Sequence, residues 1–197
     1  MDVTNVKNQR MDNRFGTGLL WKTDDFNIPD SKEMVIKRQL SLEKKFNRDP
    51  EYRKQYCKLM LEYEQKGYIR LIQESEQNIS LDKAWYLPHF GVVNPHKPGK
   101  IRIVFDDAAE VDGVSLNALL MRGPDQCQPL SYVLMKFRQW SVGICADIEE
   151  MFHRVLICKE DRWAQRILWK KDETDEFNES YEMMVITFGA KCSTASE

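Results

Sequence analysis

Val142-Gly143-Ile144-Cys145-Ala146-Asp147-Ile148-Glu149-Glu150-Met151-Phe152-His153 is the stretch whose reading decides the fold. Val142, Ile144 and Ala146 alternate with Gly143, Cys145 and Asp147, which is the period of a strand. The alternation predicts a strand that ends at Asp147, where a carboxylate can reach an open cleft. Such a carboxylate is a hard oxygen ligand suited to Mg²⁺. Polymerases and nucleases use such ligands to hold two metals over a phosphoryl transfer. An Asp after a strand also serves as a turn residue or as a helix N-cap, so the motif alone leaves both uses open.

The rest of the composition narrows the choice. The chain has 197 residues, 42% hydrophobic and 30% charged, the profile of a globular protein of one to one and a half domains. Its net charge of −2 does not advertise a polyanion partner, but the charge is unevenly placed. From Lys32 to Arg70 there are eleven Lys/Arg against six Asp/Glu, a local excess of five positive charges. From Lys171 to Glu182 six acids face one Lys. Local basic surface matters more for nucleic-acid contact than the mean does. The five cysteines (Cys57, Cys127, Cys145, Cys158, Cys192) contain no C-x-x-C pair, and His89, His96 and His153 are scattered, so no zinc spacing exists. Reduced thiols in an intracellular compartment are expected. No N-terminal hydrophobic run resembles a signal peptide, and no apolar stretch is long enough to span a bilayer.

Working outward toward the N-terminus, residues 1–29 read as an irregular polar segment docked by Trp21. Asp30-Ser31 gives a helix N-cap signal, and the helix to about Asn47 buries Val35, Leu42 and Phe46. Asp49-Pro50 opens a second helix, with Tyr52, Tyr56, Leu59 and Tyr63 on one face and Gly67 closing it. That tyrosine stripe reads as core packing rather than a base-stacking platform. Residues 68–72 are a short extended piece. Residues 85–95 and 101–106 are the arms of a β-hairpin turning at Lys97-Pro98-Gly99-Lys100. Its tip carries Lys97 and Lys100, with Arg102 just inside one arm, and Arg offers a planar fork of donors to phosphate oxygens. Lys and Gly are also common at plain solvated turns. Residues 107–125 are mainly loop, with a helical piece near 116–120. Pro129 starts a helix with Leu130, Val133, Leu134 and Phe137 inward, leading into the 142–147 strand. Residues 155–157 extend again, Trp163 and Trp169 anchor a short element, 172–182 is an acidic hairpin loop, 181–188 is a strand, and 189–193 turns into a helix start. A helical N-terminal part, a hairpin, then mixed strands and helices predict an α+β fold with an antiparallel sheet.

Five stretches in this order, GLLWK (18–22), WYLPHFGVVNPHKPGKIRIVFD (85–106), SLNALLMRGPD (115–125), ADIEEMFHRV (146–155) and FGAKCS (188–193), resemble the reverse transcriptases of BEL/Pao-type LTR retrotransposons. The resemblance runs from about Gly18 to Ser196. It implies a right-hand polymerase fold: an N-terminal segment 1–29, fingers over 30–125, and the first part of the palm over 126–197. It implies that Asp147 is the first catalytic carboxylate, a ligand of both Mg²⁺ ions, with the Ile148 backbone carbonyl beside it. Phe152 falls at the ribose gate, where a bulky ring excludes a 2′-hydroxyl. Arg102 matches the fingers arginine over the incoming nucleotide, with Lys100 or Lys97 as its lysine partner. Phe188 and Gly189 match the element lining the nucleotide pocket, and Lys191 faces template or primer.

Two features depart from that pattern. Thr194 stands where the family usually has Pro, a mild change in a turn. The Tyr-x-Asp-Asp hairpin that supplies the remaining catalytic carboxylates is absent, as are thumb, connection and RNase H regions; no Asp-Asp pair follows Asp147, and Asp106-Asp107 lies in the fingers region. One Asp and a carbonyl do not hold two Mg²⁺ ions. The expectation is therefore a fragment of a Pol polyprotein, whose parent carries out RNA-directed DNA polymerisation on a template-primer with dNTPs, in cytoplasmic virus-like particles. The chain itself is expected to be inactive alone. A non-catalytic nucleic-acid-binding relic of a transposable element is the alternative.

Overall fold

A computed structural model describes residues 9–11, 14–23, 27–73, 76, 84–93, 95, 99–123, 128–171 and 179–191. The protein is a mixed α/β fold with small sheets, largely antiparallel. The helices α1 (Lys32–Arg48) and α2 (Pro50–Gln65) form where the apolar spacing places them. Val35, Leu42 and Phe46 of α1 and Tyr52, Tyr56 and Met60 of α2 are buried. Asp49 caps α2 by accepting the Tyr52 amide at 3.0 Å, Pro50 occupies the first turn, and Gly67 follows the helix at φ +70°. Ser31 does not cap α1 with its side chain. Its hydroxyl accepts the Tyr86 amide at 2.7 Å, and Asp30 takes the Lys32 amide instead.

Strands β1 (Gln9–Met11) and β2 (Arg14–Thr17) make a hairpin within the segment expected to be irregular. The polar residues there conceal a ladder that only tertiary context supplies: β2 pairs in parallel with β8 (Val155–Ile157). Leu156 on β8 also bridges Val185, so β8 has a neighbour on either side. A second sheet runs β3 (Ile69–Leu71), β10 (Ser180–Met183), β9 (Arg166–Leu168), all antiparallel. The expected hairpin is β4 (His89–Val93) with β5 (Ile101–Phe105). Ile101, Ile103 and Phe105 point into the core and Arg102 points out, the alternation of a half-buried strand. A minor hairpin, β6 (Glu110–Val111) and β7 (Val114–Ser115), leads into the single turn α3 (Leu116–Leu119), where Ser115 caps by accepting the Ala118 amide.

One contiguous core joins α1, α2, the β4–β5 hairpin and the β3–β10–β9 sheet around Trp85, Tyr56, Tyr181 and Met183. The tyrosine stripe of α2 is core, as its spacing indicates. Trp21 docks the N-terminal segment: its ring stacks on Trp163 at 5.3 Å, and its indole N–H donates to Asp161 at 2.8 Å. The second carboxylate oxygen of Asp161 accepts the Leu19 amide at 2.7 Å.

The structure differs from expectation in the segment that decided the reading. Helix α4 (Leu130–Phe137) forms, but none of its residues is buried. Residues 142–148 follow it as irregular, exposed chain rather than a strand. An alternating stretch becomes a strand only with a ladder partner, and β8, the next strand in sequence, is already occupied by β2 and Val185. The chain instead folds back locally, with Gly143 set against the Phe137 ring. The strand expected over 181–188 is shortened to Ser180–Met183 plus the Val185 bridge, and 189–190 is a turn. Most of the acidic loop, together with Cys192, Ser193 and Thr194, lies outside the described residues. Among the described residues Cys57 and Cys145 are free thiols, and no helix is long and apolar enough to cross a membrane.

Candidate functional site

The short helix Met151–Arg154 and the turn Thr187–Lys191 meet at the end of the β5 strand. Phe152 from the first and Phe188 from the second pack edge to face, with ring centroids 4.7 Å apart at 79°. These two residues, 36 positions apart in sequence, were both expected in a nucleotide pocket. Phe188 remains 64% exposed, so the pair forms a surface rather than a filled core.

Backbone contacts explain why the turn sits there. Gly189 has no room for a side chain: a Cβ would collide with the Asp107 carboxylate and the Phe105 carbonyl. Asn117 at the start of α3 ties three strands of chain together. Its amide N–H donates to the Asp107 carbonyl at 2.9 Å, its side-chain amide donates to the Gly189 carbonyl at 3.0 Å, and its side-chain oxygen accepts the Lys191 amide at 2.6 Å. The Lys191 side chain is exposed. Beneath the turn, Thr187 donates to the buried Asp107 carboxyl at 3.2 Å and accepts from Gln165 at 3.0 Å. Burial pushes the Asp107 pKa up to about 7, and neighbouring Asp106 adds to the shift, while the Thr187 hydrogen bond opposes it. Sequence reasoning singled out neither Asn117 nor Asp107 nor Thr187. The Asp106-Asp107 doublet was the visible signal, but nothing in it tells which carboxyl is buried.

On the other flank, Glu150 adopts the left-handed conformation, φ 53° and ψ 38°, at the head of the Met151–Arg154 turn. Its carboxylate accepts from Lys66 Nζ at 2.6 Å and from the Tyr68 hydroxyl at 2.7 Å, and these donors hold its pKa below the usual carboxylate range. Its carbonyl accepts the His153 amide at 2.8 Å. The His153 ring lies against Tyr68 (4.7 Å) and Tyr63 (5.2 Å), and burial lowers its pKa. Tyr63 is pushed up to about 12 by burial and by the Glu150 charge; Arg102 is near enough to oppose that shift. Arg102 on the hairpin has an exposed side chain, as does Lys100. Lys97 lies outside the described residues.

Asp147 and Ile148 do not join this cluster. Asp147 is exposed on the irregular segment, with no hydrogen bond or ion pair to any described residue. It neither ends a strand nor caps a helix. Among the described residues no group of three His, Cys, Asp or Glu side chains is placed to hold a metal ion. Mg²⁺ needs several oxygen ligands in octahedral order, so Asp147 with the Ile148 carbonyl does not by itself make such a site.

No protein-family model and no curated protein matches the chain. Among solved structures it is similar to a foamy viral protease-reverse transcriptase in complex with double-stranded DNA, with a TM-score of 0.43 and 15% sequence identity. The alignment covers 66% of this chain and 19% of that one, so this chain spans about a fifth of its neighbour's length.

Proposed function

We propose that the chain is the fingers and first part of the palm of an RNA-directed DNA polymerase of the BEL/Pao retrotransposon type, inactive by itself. The observation that carries the reading is the meeting of Phe152 and Phe188. Two residues assigned to one nucleotide pocket from separate motifs come into ring contact, and Gly189 is pinned beside them. In this reading Phe152 blocks a 2′-hydroxyl, Phe188 and Gly189 line the pocket, and Arg102 with Lys100 or Lys97 meets the triphosphate from the hairpin. Lys191 faces template or primer. Mg²⁺, when bound in the complete enzyme, stabilises charge on the transferring phosphoryl group. The residues of this chain do not make that site alone, and Asp147 with the Ile148 carbonyl contributes only part of it.

The exposed apolar segment 130–148 supports the same reading. Its cover is the remainder of a palm, whose sheet would take up 142–147 as a strand and bring Asp147 to its edge. The test is primer extension with Mg²⁺, an RNA template and dNTPs. The chain alone gives no extension. Addition in trans of a palm–thumb fragment carrying the Tyr-x-Asp-Asp hairpin gives extension that Asp147→Ala abolishes. Extension by the isolated chain, or complemented activity indifferent to Asp147→Ala, overturns the reading.

A second reading, a non-catalytic nucleic-acid binder, is favoured by one observation. Arg38, Lys44, Lys45, Arg48, Lys100 and Arg102 are exposed and have no ion-pair partner among the described residues.

A further inference from the structure

Several basic side chains of the molecule are neutralised by ion pairs. Lys66 pairs with Glu150, Arg70 with Glu76 and Glu182, Arg162 with Glu182, Lys171 with Glu64, Lys37 with Glu33 and Lys58 with Glu62. Along one stripe of helix α1 the cations have no such partner among the described residues. Arg38, Ser41, Lys45 and Arg48 recur at i, i+3, i+7 and i+10, so they share one side of the helix over about 15 Å. None of the three cations has a carboxylate partner among the described residues; Lys45 lies over the Tyr52 ring at 3.8 Å instead. The acids of α1 stand off the stripe. Glu33 is taken by Lys37, and Glu43 is about 140° round the helix from Arg38.

This stripe borders an open groove of about 250 Å³ between α1 and β4. Arg38, Ser41 and Lys45 line one bank, Phe90 and Gly91 the other, and Leu42 the floor, with no acidic residue anywhere in the lining. The far bank is held rigidly, because the Tyr52 hydroxyl donates to the Gly91 carbonyl at 3.0 Å. Phe90 is exposed, and so are Val92 and Val93 beyond it on the same strand. A groove with cations along one wall and apolar surface along the other fits a flexible strand that carries phosphates on one side and flat bases on the other. An acidic peptide would find the cations but no use for the apolar wall.

We infer that the α1–β4 groove binds single-stranded nucleic acid, with Arg38, Lys45 and Arg48 contacting consecutive phosphates. The inference rests on the nucleic-acid part of the reading above for its class of ligand. It adds a surface distinct from the Phe152–Phe188 cluster and from the Lys100–Arg102 hairpin.

Fluorescence anisotropy of the full chain with a labelled oligothymidylate tests it. The double variant Arg38→Glu/Lys45→Glu is expected to lose affinity tenfold or more. A control of equal charge change at exposed sites outside the groove, Arg122→Glu/Lys159→Glu, loses less than about twofold. With two phosphate contacts gone, the slope of log Kd against log salt falls by roughly 1.4. The milder pair Arg38→Gln/Arg48→Gln leaves Lys45 on Tyr52, and its expected loss of threefold or more holds the test open if charge reversal disturbs folding. Equal weakening by groove and control variants overturns the inference. So does displacement by poly-glutamate as effective, charge for charge, as by unlabelled oligonucleotide, or absence of binding by the unaltered chain. Failure here leaves the polymerase reading standing, because that reading is decided by Asp147-dependent extension.

Discussion

Helices α2 and α4 carry apolar residues at the same spacing and meet opposite fates. Tyr52, Tyr56 and Met60 of α2 are buried against the hairpin and sheet, whereas Leu130, Val133, Leu134 and Phe137 of α4 are 45–72% exposed. The more apolar helix is the uncovered one. Periodicity states which face of a helix wants cover and says nothing about whether cover is present. The exposed run continues through Trp140, Val142, Ile144 and Ile148, far beyond the scattered apolar exposure usual on a surface.

The sharpest way to break this comparison is truncation on each side of it. Phe46 is 2% exposed, packed against Tyr52 and Tyr56, and Phe46→Ala is expected to destabilise the chain by about 3–5 kcal/mol. Leu134→Ala, on a helix that touches no core, is expected to change stability by less than about 0.5 kcal/mol. Urea denaturation followed by tryptophan fluorescence measures both. A loss at Leu134 comparable to that at Phe46 would show that α4 is docked in solution, and the contrast between the helices would fall.

Burial of Asp107 and His89 gives the packed body a pH signature. The Asp107 pKa, near 7 in the folded chain against an ordinary value near 3.8, is raised by burial. Its contribution is fully present below pH 4 and is lost as pH rises through 7, by up to about 4 kcal/mol. His89 acts in the opposite sense. It is fully buried between Tyr56, 2.5 Å from Nδ1, and the Leu168 carbonyl, 3.0 Å from Nε2. Burial lowers its pKa to about 4. Its neutral form is native, so its contribution is present above pH 6.5 and is lost as pH falls toward 4. Unfolding free energies between pH 4 and 8 are expected to flatten on the alkaline side in Asp107→Asn and on the acidic side in His89→Gln. A profile unchanged by Asp107→Asn would mean that water reaches the carboxyl beneath Gly189.

Much of the packed body was legible in the sequence. The Asp49-Pro50 start of α2, the Gly67 stop, the alternation of Ile101, Ile103 and Phe105, and the docking role of Trp21 are local signals that tertiary packing left in force. Phe152 could be named from one motif, and Phe188 with Gly189 from another, before they were seen together. What escaped the sequence depends on pairing. The β1–β2 hairpin is polar and gains its place from β8. Ser31 looks like a cap and spends its hydroxyl on Tyr86. The 142–147 stretch has the period of a strand and no ladder to join. Asn117 and Asp107 bond mainly to backbone and to a threonine, partners that leave no spacing rule behind.

Glu150 sits at the seam between the two regions, and its substitution is expected to give the smallest effect. It is the last residue before the ordered Met151–Arg154 turn and the first after the uncovered chain, in a left-handed conformation that a non-glycine residue adopts at some cost. The side-chain bonds to Lys66 and Tyr68 offset that strain. Lys66 is 45% and Glu150 30% exposed, so solvent screens the ion pair. Glu150→Gln keeps an acceptor for Tyr68 and removes the charge, and the expected loss is below about 1 kcal/mol. Glu150→Gly relieves the backbone but removes both anchors. If the anchors matter more than the strain, Glu150→Gly unfolds more easily than Glu150→Gln and is cut faster by protease at Arg154. The reverse order would mean that the turn is held by the rings of Tyr63, Tyr68 and His153 alone, and that the seam owes nothing to its charge.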